Sequence, residues 1–483
     1  MVRALAIDIG TSSVRTGVVG VDGAVTHIHQ RRLSVATPQP GEVELDALEI
    51  GRVVLDLASQ TLHDAGTCEV LGITNQRATT VVFDPKTGVP VGPAIGWQDL
   101  RTVLDCLTLQ SDGLRLAPNQ SATKASWLVR HSQRRAHDLR FATLETWITW
   151  LLSERAVFVT DRSNAAVTGL VNLEVDGWDE RVLALLGIEP VMMAQIVDTM
   201  GHHAVASALE GRPSITALVG DQPASLFGQS GVTRGAKITF GTGAMLDMVR
   251  GPDGPRAMTR FDSGCFPVVL RSHDGVITWG IEGIVLAAGS CIEWLRDDLG
   301  FIGHASESET LANSVPTCDG VTFVPALSGL GTPQWDFGAR GAFFGLTRGS
   351  SRAHMVRAVL EGIAHRGADL VTAAELESAT VLDEIRIDGG MSANRLFVQM
   401  LADFTGRPVA VSSEREATTR GAGLMALVGG GHLSLDQVDA LWSPAERINP
   451  RLSDEEREAV RAQWSVTVAR VQRTIPELSA VAF

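Results

Sequence analysis

The 483-residue chain contains no tyrosine, so no step of its chemistry can use a phenol. Cysteine is scarce as well: Cys68, Cys106, Cys265, Cys291 and Cys318 are odd in number, scattered, and form no CxxC pair. That usage argues against a thiolate metal site and for reduced thiols in a cytoplasmic protein. No apolar run approaches the roughly 20 residues that a membrane-spanning helix needs. Val2-Arg3-Ala4-Leu5 lacks the layout of a signal peptide, so no membrane partner is expected. Positive charge is also short. Lys and Arg total 41 against 55 Asp and Glu, and the net charge of −14 argues against nucleic acid as the main partner. A nucleotide is still allowed, because glycine turns and a magnesium ion handle phosphates locally.

A chain this long exceeds one ordinary core, so two large domains, or three, are expected, with a boundary near Ser230. The stretch Leu218 to Leu246 is the expected working centre, for it pairs two chemically useful turns. An apolar run ends in Gly220-Asp221-Gln222, which offers a carboxylate as general base. After a helix of small residues, Lys237-Ile238-Thr239-Phe240 reads as a strand closed by Gly241-Thr242-Gly243. Glycines there let backbone N–H groups approach a phosphate, since no Cβ blocks them. Either turn alone is ordinary turn chemistry; their pairing is the signal.

The chain opens with Leu5–Ile9, turned by Gly10-Thr11-Ser12-Ser13 into a second strand, Val14–Val19, and then a third, Val25–His29, in an antiparallel meander. Asp8 is either a magnesium-side carboxylate or a turn-capping residue. Arg77, between two strands, is a substrate anchor or a surface residue. Trp97 is a wall for a carbon backbone or plain core. Asp46 caps a helix ended by Gly66, and Ile284–Leu299 reads as another helix, with small residues Ala287 to Ser290. Ser328–Gly349 reads as a surface loop and hairpin, followed by a long helix at about Ala353–Ala374. Ile385–Asp388 breaks at Gly389-Gly390 in a third glycine turn, and a last helix with a Ser453/Glu456 capping box runs to about Thr474. Ile238 to Gly243 repeats the plan of Ile7 to Ser12, an apolar strand and then a glycine-threonine turn. His202-His203 lacks ligand spacing and is read as structural.

Together, DIGTSS (8–13), GITNQRATT (72–80), GDQPASLFGQ (220–229), FGTGAML (240–246), IEGIVLAAGS (281–290), RGAFFGLTRG (340–349) and DGGMSANR (388–395) carry a resemblance over nearly the whole chain. They resemble the FGGY family of carbohydrate kinases, its glycerol kinases most closely. The resemblance implies an α/β chain of two lobes in a duplicated actin-like ATPase (ribonuclease H-like) fold, with the active site in the cleft between them. Residues 1–230 would form the sugar or polyol side and residues 231–483 the nucleotide side. ATP and Mg2+ would be used, and a homodimer is expected.

Carried over by position, Asp221 resembles the general base, and Asp8 with Asp221 the metal side. Gly10, Thr11, Ser12, Arg15, Gly241, Thr242 and Gly243 resemble the phosphate grip. Gly289, Glu293, Gly390 and Asn394 resemble the adenosine pocket, and Arg77, Trp97 and Gln222 the substrate contacts. Three pocket positions depart from the glycerol-kinase pattern: Ala78 replaces a Glu, Asn119 a Tyr and Met245 a Phe. Lost hydroxyl-binding groups point to a changed acceptor, a longer polyol or a ketose. The expected activity is therefore transfer of the γ-phosphate to a terminal hydroxyl of a small polyol or sugar, with glycerol itself as the alternative. An actin-like ATPase without an acceptor would have no use for Asp221, Arg77 and Trp97 together, and intact Asp8 and Asp221 speak against an inactive sensor.

Overall fold

The protein is described from a computed structural model, which covers residues 2–481. Strand β1 (Arg3–Ile9) turns at Gly10 into β2 (Ser13–Gly20) and then β3 (Val25–Arg32), the expected antiparallel meander. Helix α1 (Ala47–Ala65) starts where the Asp46 carboxylate accepts the Leu48 and Glu49 amides, and stops at Gly66. Its Ile50, Val53, Val54 and Leu57 face the sheet, burying one stripe of the helix. Strands β4 (Val70–Asn75) and β6 (Ser214–Gly220) add in parallel, and β5 (Met200–Val205) closes the edge antiparallel. The first sheet therefore runs β5-β6-β4-β1-β2-β3.

After α2 (Asp221–Gly228) the plan repeats. Strands β7 (Ala236–Phe240), β8 (Ala244–Gly251), β9 (Phe266–His273) and β10 (Val276–Val285) are joined antiparallel. Helix α3 (Gly289–Asp297) and the long α4 (Arg352–Ser378) follow. Then β11 (Ile385–Asp388), α5 (Arg395–Thr405) and β12 (Val409–Ser412) extend the sheet in parallel fashion. Helix α6 (Ala417–Gly429) precedes the antiparallel edge strand β13 (Pro444–Ile448), giving the order β9-β10-β8-β7-β11-β12-β13. The duplicated two-lobed α/β plan expected from the motifs is the plan observed.

Helix α6 belongs in space to the first sheet, although it lies late in the chain. Ala422, Met425 and Ala426 share a core with Ala4, Ala6, Val70 and Val219. It crosses α2 backbone to backbone, because a Cβ on Gly421 would run into the Ala224 carbonyl and one on Gly228 into the Ala417 carbonyl.

Three expectations need correction. Ile284 and Val285 end β10 and do not start a helix; α3 begins only at Gly289 and ends at Asp297. The β-branched run and its pairing with β8 override the helical reading. The glycine-rich run from Ser328 is not a surface loop throughout, since Leu330, Thr332 and Ala339 are buried. Thr332 Oγ1 donates to the Gly264 carbonyl at 2.9 Å, and its hydrogen-bonded place there holds the segment inside. Its short strand Ala342–Phe344 pairs back to Thr322–Val324. The capping box at Ser453 and Glu456 is present, but that helix stops at Ala469 and a short helix, Pro476–Ser479, follows. All five cysteines are free and buried. Among the described residues no helix is long and apolar enough to cross a membrane.

Candidate active site

Register brings three strand ends of the first sheet to one edge. Ile9 pairs with Asn75, and Asn75 with Gly220, so Asp8, Arg77 and Asp221 leave the sheet side by side. Asp221 opens α2, with Gly220 as the extended residue before it. Its Oδ1 accepts the Gln222 amide at 2.9 Å and lies 3.4 Å from Arg77 Nε. Burial raises the Asp221 pKa; Arg77, the Gln222 amide and Lys237 pull it down, while Asp247 adds to the rise.

Asp8, on β1, is buried, and burial lifts its carboxyl to about 7. Arg15 opposes that rise, the charge of Asp221 adds to it, and a hydrogen bond from Thr419 on α6 opposes it again. Arg15 lies 3.8 Å from Asp8 but pairs more closely, at 2.6 Å, with Glu416.

Two carboxylates side by side at one sheet edge, with the charge of Asp221 raising the proton affinity of Asp8, form a fitting pair of ligands for a dication. Among the described residues no group of three or more His, Cys, Asp or Glu side chains is poised to hold a metal ion. Mg2+ is commonly held by one or two carboxylates with phosphate and water completing its shell, and Asp8 and Asp221 are the two that this edge would supply.

The second sheet supplies the opposite wall. Arg77 crosses to it and bonds Glu282 of β10. Burial works against the Arg77 charge, yet Glu282, Asp221 and Asp247 outweigh it and hold the guanidinium proton more firmly. Asp247 faces Glu282 in the β8–β10 register. Two residues before Asp247, and on the same face, Met245 is half-buried opposite Ile284. Gln222 is tied to the same wall, its Oε1 accepting from Lys237 Nζ at 2.8 Å.

The remaining pocket residues are placed as follows. Trp97 Nε1 donates to Thr11 Oγ1 at 3.3 Å, which joins the expected substrate wall to the expected phosphate turn. Ala78 is buried with φ +62°, and its carbonyl accepts from Thr80 and Ser121 hydroxyls. Asn119 is exposed, and its carbonyl is engaged by Nζ of the buried Lys124 at 3.2 Å. Burial lowers the Lys124 pKa to about 7.

The glycines of the nucleotide side divide by their surroundings. The Gly241 and Thr242 carbonyls accept the amides of Gly289, Ala288 and Ser290, at 2.8 to 3.1 Å, so the turn after β7 is docked on the head of α3. A Cβ on Gly289 would strike the Gly241 carbonyl, and one on Gly243 the Val285 carbonyl. Those two glycines are explained by packing. Gly241 and Gly390 are exposed with nothing within 4 Å of an added Cβ, so both leave open backbone at the edge where Thr239 pairs with Asp388. Asn394 caps α5, accepting the Phe397 amide at 2.9 Å while its Nδ2 reaches Ser308. Glu293 is exposed on α3, and Gly10 and Ser12 occupy the turn after β1.

Sequence reasoning missed Glu282, Lys237, Asp247, Thr419 and Glu416. A lone charge inside an apolar strand was the available signal for the first three. Thr419 and Glu416 gave none, because their meeting with Asp8 and Arg15 depends on where α6 docks.

Comparison with known proteins identifies the family. Residues 3–228 match the FGGY family of carbohydrate kinases, N-terminal domain, and residues 236–430 its C-terminal domain. Glycerol kinase of Aromatoleum aromaticum is 39% identical over 97% of this chain and 98% of its own length. That of Thermus brockianus is 37% identical over 98% and 99%. Among solved structures, Plasmodium falciparum glycerol kinase with ADP superposes at a TM-score of 0.91 and 26% identity, covering 98% of each chain. A ligand-bound xylulose kinase from Lactobacillus acidophilus, 18% identical at a TM-score of 0.86, shares the fold, with 99% of each chain covered. Fold and cleft define a phosphotransferase with an alcohol group as acceptor, on the two-lobed actin-like ATPase architecture. The chain belongs to the FGGY family of carbohydrate kinases.

Proposed function

We propose that the protein transfers the γ-phosphate of ATP to a terminal hydroxyl of glycerol, in the cleft between the two sheets. The observation that carries this reading is the convergence of Asp8, Arg77 and Asp221 at one sheet edge, facing open glycine turns on the other. Full-length identity of 35–39% to curated glycerol kinases supports glycerol as the first acceptor to test. Residues 1–230 would contribute the acceptor side and 231–483 the nucleotide side.

In this mechanism Asp221 accepts the proton of the attacking hydroxyl. Arg77 and Trp97 position the acceptor carbon chain, with Gln222 and Met245 beside it. Backbone at Gly10, Thr11, Ser12, Gly241, Thr242 and Gly243 cradles phosphate oxygens, with Arg15 at its margin. Gly289, Glu293, Gly390 and Asn394 border the adenosine. Asp8 and Asp221 would hold Mg2+, which when bound neutralises charge on the phosphates. Phosphoryl transfer asks chiefly for such positioning and charge neutralisation, which explains why hydroxyls, glycines and two carboxylates suffice. An ADP-release assay with glycerol and a panel of C3 to C6 polyols and ketoses tests the reading. Acceptor-independent ADP release would refute it.

A second acceptor class, longer polyols or ketoses, is favoured by one observation: Ala78 places no carboxylate beside Arg77. If such an acceptor is preferred, Ala78→Glu should shift relative kcat/KM toward glycerol by about tenfold, the worth of one hydrogen bond to a charged group. Efficient glycerol turnover by the unmodified protein, with no better acceptor, would eliminate this class.

A further inference from the structure

The buried ammonium of Lys237 has no place in the mechanism above, yet it is held from three sides. The side chains of Lys237 and Asp247 are both fully buried and lie 3.0 Å apart. Lys237 Nζ also donates to Thr239 Oγ1 at 2.9 Å and to Gln222 Oε1 at 2.8 Å. An ammonium has three donors and no acceptor. The Asp247 carboxylate on β8 lies against the ammonium as an ion pair, and two of the three donors have hydrogen-bond partners, Thr239 on β7 itself and Gln222 on α2.

The third partner matters most, because Gln222 is next to Asp221 and half-buried at the cleft. An amide side chain can face a neighbour with its oxygen or its nitrogen, and a lysine tolerates only the oxygen. The Lys237 contact therefore settles which way round the Gln222 amide sits and leaves the Nε2 donors for another oxygen. Thr239 could not do this, since a hydroxyl accepts as well as donates.

We propose that Lys237, neutralised by Asp247, is a positioning residue for the acceptor: it orients Gln222 so that Nε2 donates to an alcohol oxygen of the molecule being phosphorylated. The proposal rests on the reading of the cleft as an alcohol site. It explains why a fully buried charged pair is kept within two largely apolar strands.

The test separates position from stability. Lys237→Met alone would strand the Asp247 charge in the core, so the informative variant is Lys237→Met with Asp247→Leu, which removes both charges together. Gln222→Glu provides an independent arm: it keeps an oxygen for Lys237 but has no donor left, at a half-buried position that tolerates exchange. Kinetics and glycerol binding by calorimetry are measured for each, with melting temperature as the check on folding.

Both variants are expected to raise the acceptor KM about tenfold, the worth of one hydrogen bond, while the ATP KM stays within twofold. Combining them should cost no more than the larger single effect, because both remove the same contact. Unchanged acceptor KM in Gln222→Glu would overturn the proposal even if the double variant fails to fold, and additive losses on combination would overturn it where the double variant folds. If the unmodified protein neither binds nor phosphorylates glycerol, the panel acceptor with the highest turnover takes its place in the same measurements. Absence of binding or turnover with any polyol or ketose would overturn the alcohol-site reading and this inference with it. Normal turnover in the parent with unaffected variants would remove this inference alone.

Discussion

Asp221 holds the position at which chemistry and structure can be separated by one atom. It heads a helix, accepts its neighbour's amide and faces Arg77, so Asn preserves shape and most hydrogen bonds. General bases contribute about 10²–10⁴-fold to rate, and the loose transition state of phosphoryl transfer favours the lower part of that range. Asp221→Asn is expected to bind ATP and glycerol with near-parental affinity while kcat falls at least a hundredfold. A folded variant with parental kcat would refute the base. Asp8 should behave differently, since its ion-pair and hydrogen-bond partners are Arg15 and Thr419. Asp8→Asn is expected to raise the KM for Mg·ATP and the Mg2+ requirement, leaving the glycerol KM unchanged; titration of each substrate checks it. Both aspartates were legible from sequence because each ends an apolar strand beside a glycine turn. Glu282 and Asp247 were not, since their role depends on the register of β8 against β10, which no local pattern reports.

Strand–turn elements were the readable ones. The meander β1-β2-β3, helix α1 with its Asp46 cap, and the turn after β7 all follow from alternation, capping and glycine placement within ten or twenty residues. Ile284 was misread because a buried strand and a buried helix both present continuous apolar residues, and only the pairing of β10 decides between them. The docking of α6 on the first sheet was equally hidden, about two hundred residues separating it from α2. Its small residues gave the hint, and the crossing of Gly421 on Gly228 supplies the reason. Gly421→Ala should therefore force the two helices apart. Overpacking of this kind costs typically about 1–3 kcal/mol, and chemical denaturation should show it as a lower midpoint. Because Thr419 reaches Asp8 from the same helix, the variant should also weaken Mg·ATP use before it weakens glycerol binding. Unaltered stability would mean that the crossing relaxes freely and that the glycines are not there for close approach.

The two lobes meet through charge at the cleft. Arg77 comes from the first sheet and its main partner, Glu282, from the second, with Asp221 sharing the guanidinium. Arg77 thus divides its charge between a carboxylate that anchors it and one that is to accept a proton. Glu282→Gln changes that division without changing shape. The guanidinium would then be balanced mainly by Asp221, and a negative charge would be gone from the Asp221 surroundings. Both changes favour the ionised form of Asp221, so its pKa must fall from its raised value. The acidic limb of the kcat pH profile, where the base becomes protonated, should move to lower pH. Above the acidic limb, where protonation no longer limits the rate, a weaker base gains no population and loses driving force, so the plateau kcat should drop. The acceptor KM should rise as well, because Arg77 loses the anchor that aims it. Pre-steady-state phosphorylation rates between pH 5 and 8, with glycerol saturating, would expose the shift even if product release limits turnover. An acidic limb that stays in place or moves upward would show that Glu282 does not share Arg77 with the base. Arg77 would then join the lobes without tuning the chemistry between them.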